Sequence, residues 1–413
     1  MIIIRGLLGI AALVAIAWLL SERKKDVSPK TVIIGIALQV VLALILVKIP
    51  IINNLFLLLN DLVMSLEKAT TAGTSFVFGY LGGGPLPFEE KYPGASFVLA
   101  IRALPLILVV SALSSLLFYW RILPYIVKSF SYVFEKTMTI GGALGLGASA
   151  NIFVGMVESP LFIRPYLKDM TRSEIFSVMT CGMATIAGTV MVLYASTLKD
   201  VIPGAMGHIL TASLISAPAA LTISRIMVPE TSKHTSGELI PPTPSNSSMD
   251  AVTKGTIDGL QLLLNITAML IVLVALVSLS NQLLGLLPDI AARPITLQRI
   301  LGYLFSPVMW LIGIPWHEAQ TAGSLMGTKT ILNEFLAYLE LSRLTESALN
   351  PRSRLIMIYA MCGFANPGSL GIMIGGLGTM VPERRSEIVS LGFRSIIAGT
   401  IATCMTGAII GML

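Results

Sequence analysis

Charge is scarce in this chain: 12% of its 413 residues are charged and 54% are hydrophobic, where a soluble domain carries about 25% charged residues. The shortage excludes a water-soluble fold for most of the length and leaves an integral membrane protein. Cysteine and histidine are scarce too, with three of each. Cys181, Cys362 and Cys404 lie far apart in apolar runs without Cys-x-x-Cys spacing, which argues against a disulfide framework or a zinc site. His208, His234 and His317 do not cluster, so no histidine-built metal site is expected. No Lys/Arg-rich block with interleaved aromatics exists either. The excess of 28 Lys+Arg over 22 Asp+Glu then reports cytoplasmic loops, and nucleic acid is not an expected partner. The glycine run at 82–84 lacks a following Gly-Lys-Ser/Thr, so it reads as a turn rather than a phosphate cradle.

What is there is hydrophobic length. Spans of about 20 apolar residues fall near 2–20, 31–50, 96–119, 174–196, 203–227, 257–287, 354–378 and 388–412. The first is too long for a signal-peptide core and runs straight into Glu22-Arg-Lys-Lys-Asp26, so it is expected to stay as a span. Residues 228–253, with Pro241, Pro242 and Pro244, read as a flexible cytoplasmic linker between two halves. Basic residues orient the spans. Arg23, Lys24, Lys25 and Lys30, the 121–137 segment, Lys168 with Arg172, and Arg384 with Arg385 are expected on the cytoplasmic side. Both termini then face outward, and Arg343, Arg352 and Arg354 run against that orientation.

Two segments are apolar enough to enter a membrane yet too interrupted to cross it. Residues 138–167 contain Gly141, Gly142, Gly145, Gly147, Asn151, Gly155, Glu158 and Pro160; residues 318–342 contain Gly323, Gly327, Lys329, Asn333 and Glu334. An ionisable group at membrane depth costs roughly 2.5–3.5 kcal/mol on insertion scales, so Glu158 and Glu334 need a use. Irregular backbone at that depth must be buried in protein or line a cavity. Each segment therefore reads as a re-entrant helical hairpin, followed by a span with its own breaker: Met183-Ala-Thr-Ile-Ala-Gly-Thr189 in the first half, Gly363-Phe-Ala-Asn-Pro-Gly-Ser369 in the second. Broken segments at matching positions of two halves point to a transporter site. The fold expected is an all-α polytopic membrane protein, with about eight transmembrane helices and two re-entrant hairpins in an inverted repeat.

These segments resemble the concentrative nucleoside transporter family. The match is carried by Gly79-Tyr-Leu-Gly-Gly-Gly84, Gly155-x-x-Glu158-x-Pro-Leu161, Arg164-Pro-Tyr-Leu167, Ala184-Thr-Ile-Ala-Gly188, Leu332-Asn-Glu-Phe-x-Ala-Tyr338, Gly363-Phe-Ala-Asn366 and Pro382-Glu-Arg-Arg385. Their order and spacing follow the family from about residue 75 onward. The resemblance implies an ion-coupled nucleoside importer of the inner (plasma) membrane, embedded in lipid as a homotrimer, with a scaffold and a mobile transport domain in each protomer. On that plan, 1–50 are N-terminal spans, 51–137 interfacial helices and a scaffold span, and 138–227 the first half of the transport domain. Residues 228–253 are the linker, 254–293 a long scaffold span, and 294–413 the second half of the transport domain.

The resemblance also implies site residues. Glu334, Asn366 and Ser369 would hold the ribose, and Phe364 would pack on the nucleoside. A carboxylate suits two adjacent sugar hydroxyls because charge-assisted hydrogen bonds are the strong ones. The bland alternative for Asn366 and Ser369 is capping of a kinked helix beside Pro367. Where the family usually has Gln-Thr before the first glutamate, this chain has Met156-Val157 next to Glu158. The sugar grip is kept and the base grip rebuilt, so a modified nucleoside is an alternative substrate. Asn151, Val154, Thr185 and Ile186 match a sodium site, with Val154 and Ile186 offering backbone oxygen only. Sodium symport is favoured, with proton coupling through Glu158 as its competitor; no other cofactor is implied.

Two further readings compete. An intramembrane enzyme would use Glu158 and Glu334 as an acid/base pair, but no nucleophile or metal cluster accompanies them, and no catalytic residue is assigned. A non-transporting receptor is the other. The structural alternative for both glutamates is a buried ion pair with Arg102, Arg164 or Lys329. Lys329 stands five residues before Glu334, a poor match to the i,i+4 spacing of helix neighbours.

Overall fold

A computed structural model describes residues 2–90, 96–237, 245–289, 294–345 and 347–413. Pro241, Pro242 and Pro244 of the expected linker lie outside the described residues. The chain opens with α1 (Ile2–Leu19), α2 (Pro29–Lys48), α3 (Pro50–Phe78), the short α4 (Leu99–Arg102) and α5 (Leu106–Tyr119). Then a pattern of elements occurs twice. The first copy is α6 (Ile122–Met138), α7 (Gly142–Ala150) with a 3-10 turn at Ser159–Tyr166, α8 (Arg172–Ala184), α9 (Gly188–Leu198) and α10 (Ala205–Met227). After α11 (Ser248–Leu284) comes the second: α12 (Leu297–Leu311), α13 (Trp316–Ile331), α14 (Glu334–Arg343), α15 (Pro351–Met361), α16 (Pro367–Met380) and α17 (Arg385–Met412). Each copy reads helix, helical hairpin, broken helix, long helix. Every regular element among the described residues is helical.

The breaks are written in the sequence as start signals. Thr171 and Glu174 close a capping box on α8. Asn333, Asn350 and Asn366 each accept a backbone N–H three residues on, at the first turns of α14, α15 and α16. Pro351 and Pro367 occupy the following position, where a missing N–H costs nothing.

Among the described residues, six helical stretches are long and apolar enough to cross a membrane: Pro29–Lys48, Leu99–Tyr119, Arg172–Leu198, Ala205–Met227, Ser248–Leu284 and Pro382–Met412. Two of the eight expected crossings differ. The apolar helix at the N-terminus is shorter, and the 354–378 stretch is divided at 362–366 into α15 and α16. α12 was not expected as an element. It buries Gly302, Ser306 and Met309 and exposes Ile300, Tyr303, Leu304 and Trp310. It is the counterpart of α6, which likewise buries Val127, Ser131, Phe134 and Met138 and exposes Tyr125 and Tyr132. Each braces its hairpin: α6 packs on α7, and α12 on α13. A Cβ on Gly323 would fall 2.4 Å from the Gly302 carbonyl oxygen, so α12 and α13 cross in backbone contact as small residues permit.

The centre is α8, α10 and α17, almost wholly buried. Polar side chains lock it: Gln39 of α2 donates to Thr406 at 3.1 Å, and Ser216 shares a hydrogen bond with Thr406 at 3.0 Å. α2 and α11 lie outside and present exposed Ile33, Val41, Leu264, Ile271 and Leu279. Apolar surface of that extent belongs against lipid or protein.

One end of the molecule gathers three of the expected cytoplasmic segments. Arg172 and Arg394 pair with Glu22 at 2.9 and 3.3 Å, and Arg384 donates to the carbonyls of Leu167 and Met170. The opposite end holds Arg5, bonded to the Trp310 carbonyl, and Lys48, bonded to Leu413. Two arginines that run against the charge-based orientation have another occupation. Arg352 donates to the carbonyls of Gly411 and Gly313, and Arg354 to those of Leu344, Thr345 and Leu349. They satisfy chain-end carbonyls, so their charge is a poor guide to sidedness.

Where a flexible connector is expected, the described start of the linker is held by hydrogen bonds. Its first ten residues are pinned. Ser173 donates to the Val228 carbonyl at 2.6 Å, Thr171 to Glu230 at 2.6 Å, and Thr235 to Glu174 through both backbone and hydroxyl at 2.9 and 2.7 Å. The Thr235 and Gly237 carbonyls lie directly against Gly141 and Gly142 at the start of α7.

Candidate functional site

Leu332 and Asn333 break hairpin 2 between α13 and α14, and Glu334 becomes the first residue of α14. A carboxylate is stabilised there by unpaired N–H groups and the helix dipole. Glu334 is 3% exposed. One oxygen accepts from the Tyr194 hydroxyl of α9 at 2.5 Å, and the other from the Asn366 amide at 3.3 Å. Tyr194 is fixed between the Phe335 and Tyr338 rings, whose centroids lie 5.9 and 5.3 Å away. Tyr338 is itself anchored to the Ile358 carbonyl at 2.9 Å.

Asn366 does two things at once. Its Oδ1 accepts the Ser369 N–H at 2.8 Å, capping α16, while its Nδ2 reaches Glu334. One side chain thus caps α16 and also bonds the Glu334 carboxylate. Ser369 is half-buried at the first turn of α16, and Phe364 is half-buried in the break before it.

Met156 and Val157 lie elsewhere along α16. Val157 packs against Gly376, where a Cβ would stand 2.9 Å from Val157 Cγ1. Met156 packs on Gly182 of α8, which Met373 also covers. From Asn366 to Met373 and Gly376 is a run of roughly 10–15 Å at 1.5 Å per residue. The expected substrate residues therefore form two groups at different heights on one helix. One is polar, around Glu334. The other is apolar, at the tip of hairpin 1. Glu158 belongs to neither. It is exposed, its carboxylate folds back over Gly155, and Asp258 of α11 is within electrostatic reach.

Of the four expected ion ligands, Asn151 and Thr185 are in direct contact, and Val154 and Ile186 stand close to them along the chain. Asn151 ends α7 and Thr185 ends α8. Asn151 Nδ2 donates to Thr185 Oγ1 at 2.8 Å, and Thr185 Oγ1 donates to the carbonyls of Cys181 and Asn151 at 2.9 and 3.2 Å. Val154 and Ile186 are buried beside them. Among the described residues their carbonyls accept no backbone hydrogen bond. These carbonyls, with the Asn151 amide and the Thr185 hydroxyl, make a candidate cradle of oxygens for a small cation.

Two residues of these clusters escaped the sequence reading. Ser159 donates to Asn151 Oδ1 at 3.1 Å and so belongs to the cradle. Tyr194 reads as core in an apolar run, and only the fold brings it to Glu334. Glu174, Glu230 and His234 also converge, with ligand atoms within 4.8 Å of one another. Their carboxylates are already occupied by N–H and O–H donors of Thr171, Thr231, Ser232 and Thr235, which accounts for them as a clamp on the linker.

The structural ion pairs are not formed. Among the described residues no Lys or Arg nitrogen lies within 4 Å of the Glu158 or Glu334 carboxylate. Arg102 instead donates to the Tyr80 carbonyl at 3.1 Å.

Residues 208–411 match the family model for the C-terminus of Na+ dependent nucleoside transporters, residues 8–81 the model for their N-terminus, and residues 100–201 a nucleoside-recognition model. The transporter YutK of Bacillus subtilis (strain 168) is 38% identical over 98% of both chains. The nucleoside permease NupC of Helicobacter pylori is 34% identical over 98% of this chain and 97% of its own. The solved structure of CNTnw in an inward-facing substrate-bound state superposes with a TM-score of 0.91 at 34% identity, covering 100% of this chain and 99% of that one.

Proposed function

The chain belongs to the concentrative nucleoside transporter family, and from that premise we propose that it is a sodium-driven symporter importing nucleosides across the inner membrane. It is a multi-pass membrane transporter of nucleosides and not an enzyme. The observation that carries the proposal is the buried Glu334 carboxylate at the meeting of α14, α16 and α9, with Asn366 and Tyr194 on its two oxygens. A carboxylate, an amide and a hydroxyl there offer a ribose both acceptors and donors. Ser369 adds a second hydroxyl, and Phe364 a surface for the ring.

The base would extend along α16 towards Met156 and Val157. Their apolar side chains give shape and dispersion contact but no donor–acceptor code. Selectivity among bases is accordingly weak, or shifted towards a modified base.

Sodium is assigned to the cradle of Asn151, Thr185 and the Val154 and Ile186 carbonyls. It lies between hairpin 1 and the α8–α9 break, so one ion would tie the two together. Movement of a transport domain (138–227 and 294–413) against a scaffold including 254–293 would then expose the site to each side in turn, in a homotrimer. Proton coupling through Glu158 is the second reading. What supports it is that, among the described residues, no Lys or Arg nitrogen lies within 4 Å of the Glu158 carboxylate.

Uptake of labelled uridine and adenosine into proteoliposomes, with an imposed sodium or proton gradient, tests the proposal. Sodium-driven accumulation supports it. Proton-driven accumulation moves coupling to Glu158. No accumulation by folded protein with either ion overturns it for ordinary nucleosides.

A further inference from the structure

Lys329 is fully buried in the last turn of α13. Its Nζ has one hydrogen-bond partner among the described residues, the Thr403 hydroxyl of α17 at 3.4 Å. Thr403 spends its own proton on the Thr400 carbonyl, so it can only accept. The groups around the ammonium are otherwise Cys362 at the end of α15, Cys404 of α17, and Glu334 beyond the hairpin break. Glu334 in turn faces Tyr194, Asn366 and Tyr338. A lysine and a glutamate are thus both buried around one break, one from each arm of hairpin 2, without direct contact.

Burying a lone charge is prohibitively expensive, and two opposite charges in one dry region relieve each other over several ångströms because little screens them. The two halves of the repeat handle the same place differently. Between hairpin 1 and the α8–α9 break stands a neutral cradle of oxygens. Between hairpin 2 and the α15–α16 break stands an ammonium carried by the chain itself.

We infer that Lys329 is a tethered counter-cation that keeps Glu334 ionised and ready for hydrogen-bonding substrate, a positioning residue acting through Glu334 and not touching the nucleoside. The inference deepens the proposed role of Glu334. Its test needs no transport, so the two stand or fall separately.

The experiment is thermal unfolding of ligand-free, detergent-purified protein from about pH 5 to pH 8, for the parent, Lys329→Met, Glu334→Gln and the double variant. Methionine fills a similar volume without charge. A lysine that only packs would be replaced neutrally or with gain, as buried ions often are. The tethered cation instead requires Lys329→Met to melt several degrees below the parent at pH 8. The gap closes towards pH 5, where a proton on the Glu334 carboxyl stands in for the missing ammonium. Lys329→Met/Glu334→Gln should recover most of the loss at pH 8. A Lys329→Met profile parallel to the parent at every pH overturns the inference, and so does a double variant no more stable than Lys329→Met. If Lys329→Met fails to fold, the double variant decides: recovery of folded protein supports the counter-cation, and failure of both overturns it.

Discussion

The Tyr194 hydroxyl donates to the Glu334 carboxylate at 2.5 Å, across the boundary between the two copies of the repeat. Tyr194 comes from the broken helix of the first half and Glu334 from the hairpin of the second. The polar site is therefore an assembly of both halves. Neither half alone could hold the carboxylate in place.

Glu334→Gln keeps the shape of the side chain and removes its charge. Charge-assisted hydrogen bonds contribute about 1.5–3 kcal/mol each, so nucleoside affinity should fall by about 10- to 100-fold or beyond detection. Size-exclusion behaviour should stay that of the parent. Isothermal titration checks the first and chromatography the second; loss of the folded assembly would mark Glu334 as structural.

Tyr194→Phe removes a donor and leaves the ring stack with Phe335 intact. Affinity should drop by roughly tenfold, in line with one hydrogen bond to a charged acceptor. An unchanged dissociation constant would mean that Tyr194 only satisfies Glu334 in the absence of ligand.

Thr185→Val deletes the hydroxyl shared by Asn151 and the end of α8. The sodium concentration for half-maximal uptake should rise about 5- to 30-fold, each lost hydrogen-bonding partner being worth about 1–2 kcal/mol. Ser159→Ala should do the same more weakly, because it only orients Asn151. Sodium-titrated uptake measures both, and equal sodium dependence in all three proteins would remove the ion from this cradle.

Met156→Gln with Val157→Thr restores hydrogen-bonding groups at the apolar end of the site. Discrimination between uridine and adenosine should grow several-fold, as one well-placed base contact is worth about 1 kcal/mol. Competition binding reads the ratio, and an unchanged ratio would place the base elsewhere.

Glu22 lies in the loop between α1 and α2. The hydrogen bond from Arg172 holds its carboxyl below the usual carboxylate range, against burial and with help from the charges of Arg172, Arg394 and Arg23. A lowered folded value stabilises above the unfolded carboxylate range and is lost as pH falls through the folded value. Glu22→Gln should therefore cost under about 1 kcal/mol near neutrality, as partly exposed pairs do, and nothing in acid. Melting curves at pH 7 and near pH 3 check the convergence.

Legibility from sequence followed energetic cost. Glu334 and the breaks at 185–187 and 362–366 stood out because charge, glycine and proline are expensive at membrane depth. Asn151 and Thr185 followed from the resemblance, and the fold brings their side chains together. Tyr194 stayed hidden because a tyrosine in an apolar helix looks like any core aromatic until a distant segment is placed beside it. α12 stayed hidden because its apolar residues occupy one face of a helix too short to span, interrupted by Ser306 and Pro307. Arg352 and Arg354 misled for a related reason: a count of positive charge does not see which guanidinium is committed to carbonyls at a helix end.

The two ends of the Asn366 amide have separate employers. Oδ1 holds the first turn of α16 and Nδ2 holds Glu334. An arriving sugar hydroxyl can take over the Nδ2 proton while Oδ1 keeps the cap, so ligand exchange swaps one hydrogen bond and does not fray a helix. Such a local exchange belongs to the nanosecond class of side-chain motion, far quicker than microsecond-to-millisecond movement of whole domains. On the proposed alternating-access cycle, movement of the transport domain would then set the pace, with loading and unloading of the site running ahead of it.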